Sequence, residues 1–214
     1  MEIAILVHGR KESGPVRNAL LRPFADSSLF EIALEKLSTL DAPCRKLVAV
    51  GDREMKQAAS QFSGITVARC DAPDAADPKK AYDYLARMSE DWFLVVNPMY
   101  PLVAAEQWWE AVENFLAEEP HAWVSAQRIE GSIYNADSKP HGGASPTQSL
   151  LRANDAFRIV HKDALLEHGS WAIPGAPPPT PVVMPAMSAW GIHEMEDVTA
   201  VEAVYSMSQL GIYA

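Results

Sequence analysis

Residues able to do chemistry crowd into one short run near the start of the chain: His8, Gly9, Arg10, Lys11, Glu12, Ser13, Gly14, Pro15, Val16, Arg17 and Asn18. Arg10, Lys11 and Arg17 offer cationic donors suited to phosphate oxygens, and the glycines let backbone approach a ligand closely. The run is neither a Walker sequence nor a G-x-G-x-x-G fingerprint. Composition and position therefore suggest a polyphosphate cradle, although solvated surface loops share the same composition.

Position is decided by what precedes the run. Residues 3–7 are uniformly apolar, which suits a strand buried on both faces of a parallel sheet. The polar run is then the loop at its carboxyl end, where open α/β sheets bind ligands, and His8 stands at the strand's exit.

The remaining pattern alternates strand and helix. Asp26 or Ser27 can cap a helix ending near Leu40. A strand over 46–50 follows, then a helix capped by Asp52, running through Phe62 and stopped by Gly64. A third strand over 65–68 and a helix containing Ala81, Tyr82, Leu85 and Met88 lead to a fourth strand over 92–96. Asn97, Pro98, Met99, Tyr100, Pro101 and Leu102 form a second loop at a strand end, its prolines delaying the next helix to about Val103. That helix carries Trp108 and Trp109, which cannot both face the core, so one is a candidate subunit contact.

Beyond it the reading gives a strand at 123–126, a polar segment at 128–152, a strand at 157–160 and a short helix at 163–167. The proline-rich stretch 171–185 reads as an extended connector, 189–192 as a last strand, and Asp197 as the start of a closing helix. His161 and His168 read as solvated surface histidines. This alternation implies a mainly parallel sheet between helical layers, in one domain spanning 1–214, with 128–152 as a lid or dimerisation arm.

Composition sets limits. The 214 residues carry 18 Lys and Arg against 28 Asp and Glu, a net charge of -10, with 48% apolar residues for a core. Such a balance argues against non-specific nucleic-acid binding and requires any anion to be held by a local cationic cluster. Two cysteines, the lack of a secretory pattern and the lack of a run approaching ~20 apolar residues lead to the expectation of a cytoplasmic protein outside the membrane.

In order and spacing these segments resemble the acylneuraminate and KDO cytidylyltransferases, the CMP-sugar synthetases. Leu6 to Asn18 resembles the opening I-P-A-R-x-G-S-K-x-x-P-x-K-N strand and loop, with Pro15, Arg17 and Asn18 on its last positions. Asp52 falls on the acidic turn after the second strand. Arg69 and Asp77 sit where the family has an Arg followed by an Asp before a helix. Asn97, Pro98, Pro101 and Leu102 resemble Q-P-T-S-P-L, and Asn154, Ala156 and Phe157 resemble N-G-A-x-Y. Met184 and Pro185 precede the final strand, while Glu196 and Asp197 match the end of D-I-D-T-P-E-D-L.

The resemblance implies a three-layer, Rossmann-like nucleotidyltransferase fold and transfer of a cytidylyl group from CTP to an acidic sugar, with release of pyrophosphate and Mg²⁺ as cofactor. It further implies Arg10, Lys11 and Arg17 as catalytic cations, His8, Gly9, Ser13, Asn18, Asn97, Pro98 and Pro101 as nucleotide contacts, and a homodimer. An ungapped alignment puts His8 on the family's first loop Arg and Glu12 on its Lys, whereas a small gap lets Arg10 or Lys11 serve. The family's two metal-binding Asp positions fall on Gly191 and His193, leaving His193 and Glu194 as the nearest candidate ligands. Mg²⁺ prefers carboxylate and water oxygens, so two readings stay open: an atypical transferase, or a relative that keeps the fold and binds without transferring.

Overall fold

The computed structural model describes residues 1–9, 16, 18–70, 78–118, 121–129, 150–170 and 175–211. Its first strand, β1 (Ile3–Gly9), is buried along its whole length, as the apolar run requires. A two-residue hairpin, β2 (Pro23–Phe24) and β3 (Ser27–Ser28), leads into α1 (Leu29–Thr39). Ser28, one residue past the expected cap, accepts from the Glu31 amide and returns a hydroxyl bond to the Glu31 carboxylate. The first bond satisfies one amide donor that the first helical turn leaves open, and the second holds the capping hydroxyl in place.

Next come β4 (Arg45–Val50), α2 (Arg53–Ala59) and β5 (Thr66–Arg69). Asp52 caps α2 by accepting from the Met55 amide at 2.8 Å. The helix stops at Ala59 and not near Phe62, because successive turns over 60–64 lead into Gly64 at φ 73°. The segment Pro78–Arg87 forms a 3₁₀-helix. Its buried residues Ala81, Tyr82, Tyr84 and Leu85 fit one face of either helix type, so periodicity alone cannot separate the two.

After β6 (Trp92–Val96) the chain forms α3 (Ala105–Ala117), β7 (Trp123–Ile129), β8 (Leu150–His161), α4 (Lys162–His168), β9 (Thr180–Val183) and α5 (Met195–Gln209). The seven strands run in the order β5-β4-β1-β6-β8-β7-β9. All pairings are parallel except those made by β8, which is antiparallel to both β6 and β7. The expected mainly parallel α/β sheet is therefore present. Within β1, Ile3, Ile5 and Val7 join the larger core under α1, α2 and α3, whereas Ala4 and Leu6 join the smaller one under the 3₁₀-helix and α4.

Three expectations change. The stretch read as an unstructured proline-rich connector contains β9, which tolerates Pro181 because it lies at the sheet edge and needs donors only on its β7 side. Thr180 and Met184 supply such donors to Ala122 and Ala126, each at 2.8 Å. The 189–192 segment is turn and coil and not a strand: Ala189 and Trp190 bond back to Pro185 and Met187, and Ile192 alone donates across, to Met99. Finally, both ends of the expected polar segment 128–152 are strand, with Ile129 paired to Leu150. Residues 130–149, where the lid or arm was expected, lie outside the described residues.

Candidate functional site

From β1 the chain moves outward to β4 and β5, then returns to β6 on the opposite flank of β1. The crevice beyond the carboxyl ends of β1 and β6 is thus the switch point of the sheet, the usual ligand position in this architecture. A cleft of about 240 Å³ opens there, lined by His8, Tyr82, Val95, Val96, Asn97, Asp155 and Arg158.

Each polar lining group is fixed by its element. His8 projects from the β1 face that also carries Leu6, with its ring against Tyr82 and Tyr84 at centroid distances of 5.3 and 6.2 Å. Its Nε2 lies 3.2 Å from the Ala81 carbonyl, an acceptor only, so this contact takes the proton on Nε2. The Arg158 guanidinium donates to the Tyr82 hydroxyl at 2.8 Å. Thus the 3₁₀-helix braces both cationic-capable side chains of the cleft.

Asp155 reaches the cleft through a disruption of the β7–β8 ladder. Val124 faces Arg158 but Ala126 faces Ala153, so Asn154, Asp155, Ala156 and Phe157 crowd opposite the single residue Ser125. The Ser125 hydroxyl donates to Asn154 Oδ1 at 2.6 Å and accepts from the Phe157 amide at 3.0 Å, closing the bulge. Asp155 takes φ 56°, a left-handed conformation that Asp tolerates better than most residues.

Across the cleft, Asn97 directly follows β6. Its amide donates to Ala156, and its side-chain oxygen accepts from the Met99 amide at 3.1 Å, forming an Asx turn. Lys36 of α1 secures the far side of this turn by donating to the Pro101 carbonyl and, at 2.7 Å, to Val103. Burial pulls the Lys36 ammonium down to about 8, against the opposing pull of Glu106 and Glu35.

Tyr100 ties the turn to the start of α5. Its hydroxyl donates to the Asn154 carbonyl and lies 3.2 Å from His193 Nε2. Burial, reinforced by Asp155 and opposed by Arg152, pushes this phenol up to about 12. Asp197 accepts from the amides of His193 and Glu194 at 2.7 and 2.8 Å, and those bonds hold its carboxyl below the usual range.

Of the residues singled out in the sequence, His8 and Asn97 come together in the cleft. Arg10, Lys11, Ser13 and Arg17 lie outside the described residues. Gly9 is at the end of β1 on the face of the larger core, where an added Cβ would stand 2.8 Å from Phe30 Cε2 and 3.1 Å from Met55 Sδ. Packing alone therefore demands glycine there. Asn18 adopts φ 55° and starts the short 3₁₀ turn Ala19–Leu21. Pro98 and Pro101 shape the Asn97 turn without lining the cleft.

Sequence reasoning missed Tyr82, Asp155 and Arg158 as cleft residues. Arg158, a charge inside an apolar strand, was the available signal; Asp155 had none, because a bulge leaves no periodic mark. Trp108 is the tryptophan buried in the core, with Trp109 half-buried beside it.

The described residues do not fit a Mg²⁺ site. His193 already engages Tyr100, Glu194 is exposed at the head of α5, and Gly191 has no room for a side chain. A Cβ at Gly191 would fall against Tyr100 Cε1, with Cζ at 2.5 Å and Cδ1 at 2.8 Å. Among the described residues no group of three or more His, Cys, Asp and Glu is placed to hold a metal ion.

No protein-family model and no curated protein matches this sequence. Solved structures do match in shape. CMP:2-keto-3-deoxy-manno-octonic acid synthetase, solved with CTP, superposes with a TM-score of 0.70 over 97% of this chain and 100% of its own, at 11% identity. The 4-diphosphocytidyl-2C-methyl-D-erythritol synthase of Anaerococcus prevotii gives a TM-score of 0.68 over 96% of this chain and 98% of its own, also at 11% identity. The chain has the Rossmann-like nucleotidyltransferase fold. Two differently named synthetases match it at TM-scores of 0.70 and 0.68, so the likeness reaches the fold and does not select between them. Among the described residues no helix is long and apolar enough to cross a membrane.

Proposed function

We propose that the chain binds CTP in the switch-point cleft and transfers its cytidylyl group to the hydroxyl of an acidic sugar, releasing pyrophosphate. The supporting observation is the convergence of His8, Asn97, Asp155 and Arg158 on the β1–β6 crevice of a nucleotidyltransferase fold. In this reading Asn97 and Asp155 contact the nucleoside, Arg158 and His8 meet its phosphates, and Arg10, Lys11 and Arg17 neutralise charge as the α–β phosphoanhydride breaks. Phosphoryl-type transfer depends mainly on such positioning and neutralisation. A homodimer, with 128–152 reaching a neighbouring site, belongs to the same proposal.

One observation favours a second reading, in which the chain binds nucleotide without transferring it. The Tyr100 ring fills the space that a carboxylate at position 191 would need. Two assays separate these readings: calorimetry with CTP, and pyrophosphate release from CTP with Mg²⁺ and a panel of sugar acids. Binding with release supports transfer, binding without release supports the second reading, and no binding overturns both.

A further inference from the structure

Asp155 lines the switch-point cleft with φ 56°, in the left-handed region, and on a residue with a Cβ that conformation persists only where its surroundings enforce it. Among the described residues its side chain makes no hydrogen bond or ion pair, so the constraint comes through the backbone on either side. The strand ladders do not supply it. Register pairs Phe157 with Val96 and Ala153 with Ala126, and Asn154 and Asp155 fall between those pairs.

The two peptide planes that flank the Asp155 Cα are pinned by other means. The plane of residues 155 and 156 is held where the Ala156 amide donates to Asn154 Oδ1 at 3.3 Å. The plane of residues 154 and 155 is held at its oxygen, the Asn154 carbonyl, which accepts from the Tyr100 hydroxyl. Because the peptide unit is rigid, fixing that oxygen restricts rotation about the Asp155 N–Cα bond.

Tyr100 is itself held from behind. Its hydroxyl has one proton, given to Asn154, so in the 3.2 Å contact with His193 the imidazole Nε2–H donates to the phenol oxygen. The two rings meet edge-on at an interplanar angle of 78°. The His193 backbone is anchored in turn, its amide donating to Asp197 at 2.7 Å, while the Ile192 amide donates to Met99 at 2.9 Å.

We propose that Tyr100 and His193 are positioning residues of the switch-point cleft: a relay from the His193 imidazole through the Tyr100 hydroxyl to the Asn154 carbonyl holds Asp155 in its left-handed conformation and aims its carboxylate at the ligand. The effect on nucleotide affinity rests on the proposed function. The effect on the conformation of Asp155 does not.

The test follows the full chain by NMR, reading the Asp155 Cα and Cβ carbon shifts, which report its backbone dihedrals, and then titrates CTP. Tyr100→Phe keeps the ring and removes the relay's hydroxyl; His193→Ala removes the donor behind it. Both move the Asp155 carbon shifts away from the wild-type values and weaken CTP binding by about fivefold, the size of one lost hydrogen bond. His193→Gln, which returns an N–H donor, restores both readouts to within about twofold. Ile32→Val, a core change of comparable cost to stability, leaves both unchanged. Asp155 shifts that stay put in Tyr100→Phe overturn the proposal, as do His193→Gln behaving like His193→Ala, equal effects from Ile32→Val, or displaced shifts with unaltered CTP affinity. A wild-type chain that does not bind CTP refutes the proposed function instead, and the carbon shifts of the free chain still decide the relay.

Discussion

Replacing Gly191 with Ala places a methyl group against the Tyr100 ring, 2.5 Å from Cζ, where no flexible side-chain end can yield. Forcing a methyl group into a packed site costs about 1–3 kcal/mol. If the ring withdraws, the Tyr100 hydroxyl also leaves the Asn154 carbonyl, and an unsatisfied buried acceptor costs about 1–3 kcal/mol more. Together these costs, about 2–6 kcal/mol, lower Tm by roughly 4–24 °C, at ~2–4 °C per kcal/mol for a chain of this size. Calorimetric melts measure this directly. In a Tyr100→Leu background the Gly191→Ala penalty shrinks, giving a coupling of at least ~1.5 kcal/mol between the sites. A single variant melting within about 2 °C of wild type would refute the steric reasoning.

Lys36 carries a pH signature. Its folded value of about 8 lies below the ordinary 10.5, so between these limits the unfolded chain binds the extra proton and stability rises with pH, by ~3 kcal/mol at 1.36 kcal/mol per pKa unit. Urea titrations across this window show the rise in wild type, and Lys36→Met abolishes it. Tyr100 acts in the opposite direction: its phenol is raised to about 12, so its contribution is intact below pH 10 and is lost as pH climbs through 12. Ultraviolet titration in Tyr100→Phe lacks that late phenolate. Under the proposed function, Arg158→Met weakens CTP binding by about tenfold or more, the effect of losing one charge-assisted bond of ~1.5–3 kcal/mol, and calorimetry measures it.

How much of this was readable from the sequence depends on the kind of signal. The apolar run 3–7, the Asp52 cap and the Trp92–Val96 strand carry local signals of burial period and capping, and they fold as read. β9 escaped because Pro181 is a breaker everywhere except at an edge, and edges are set by the whole sheet. The N-terminal part of β8 escaped because Leu151, Arg152 and Ala153 are exposed and leave no apolar period. The 189–192 segment misled in reverse: its apolar residues pack without pairing, and Gly191 accommodates Tyr100 instead of extending a strand. His8 and Asn97 were identifiable because each stands at a strand's exit. Asp155 needed the bulge opposite Ser125, a contact between distant segments that spacing cannot encode, whereas Arg158 left one mark, a charge inside an apolar strand.

The central claim is that a nucleotide seats in the crevice between β1 and β6. Titrating the full chain with CTP and following assigned amides and side chains by NMR tests it most directly. The account predicts saturable shifts at His8, Asn97, Asp155 and Arg158, lost in Arg158→Met. Saturable CTP binding that leaves these four residues unmoved, or no binding at all, contradicts it.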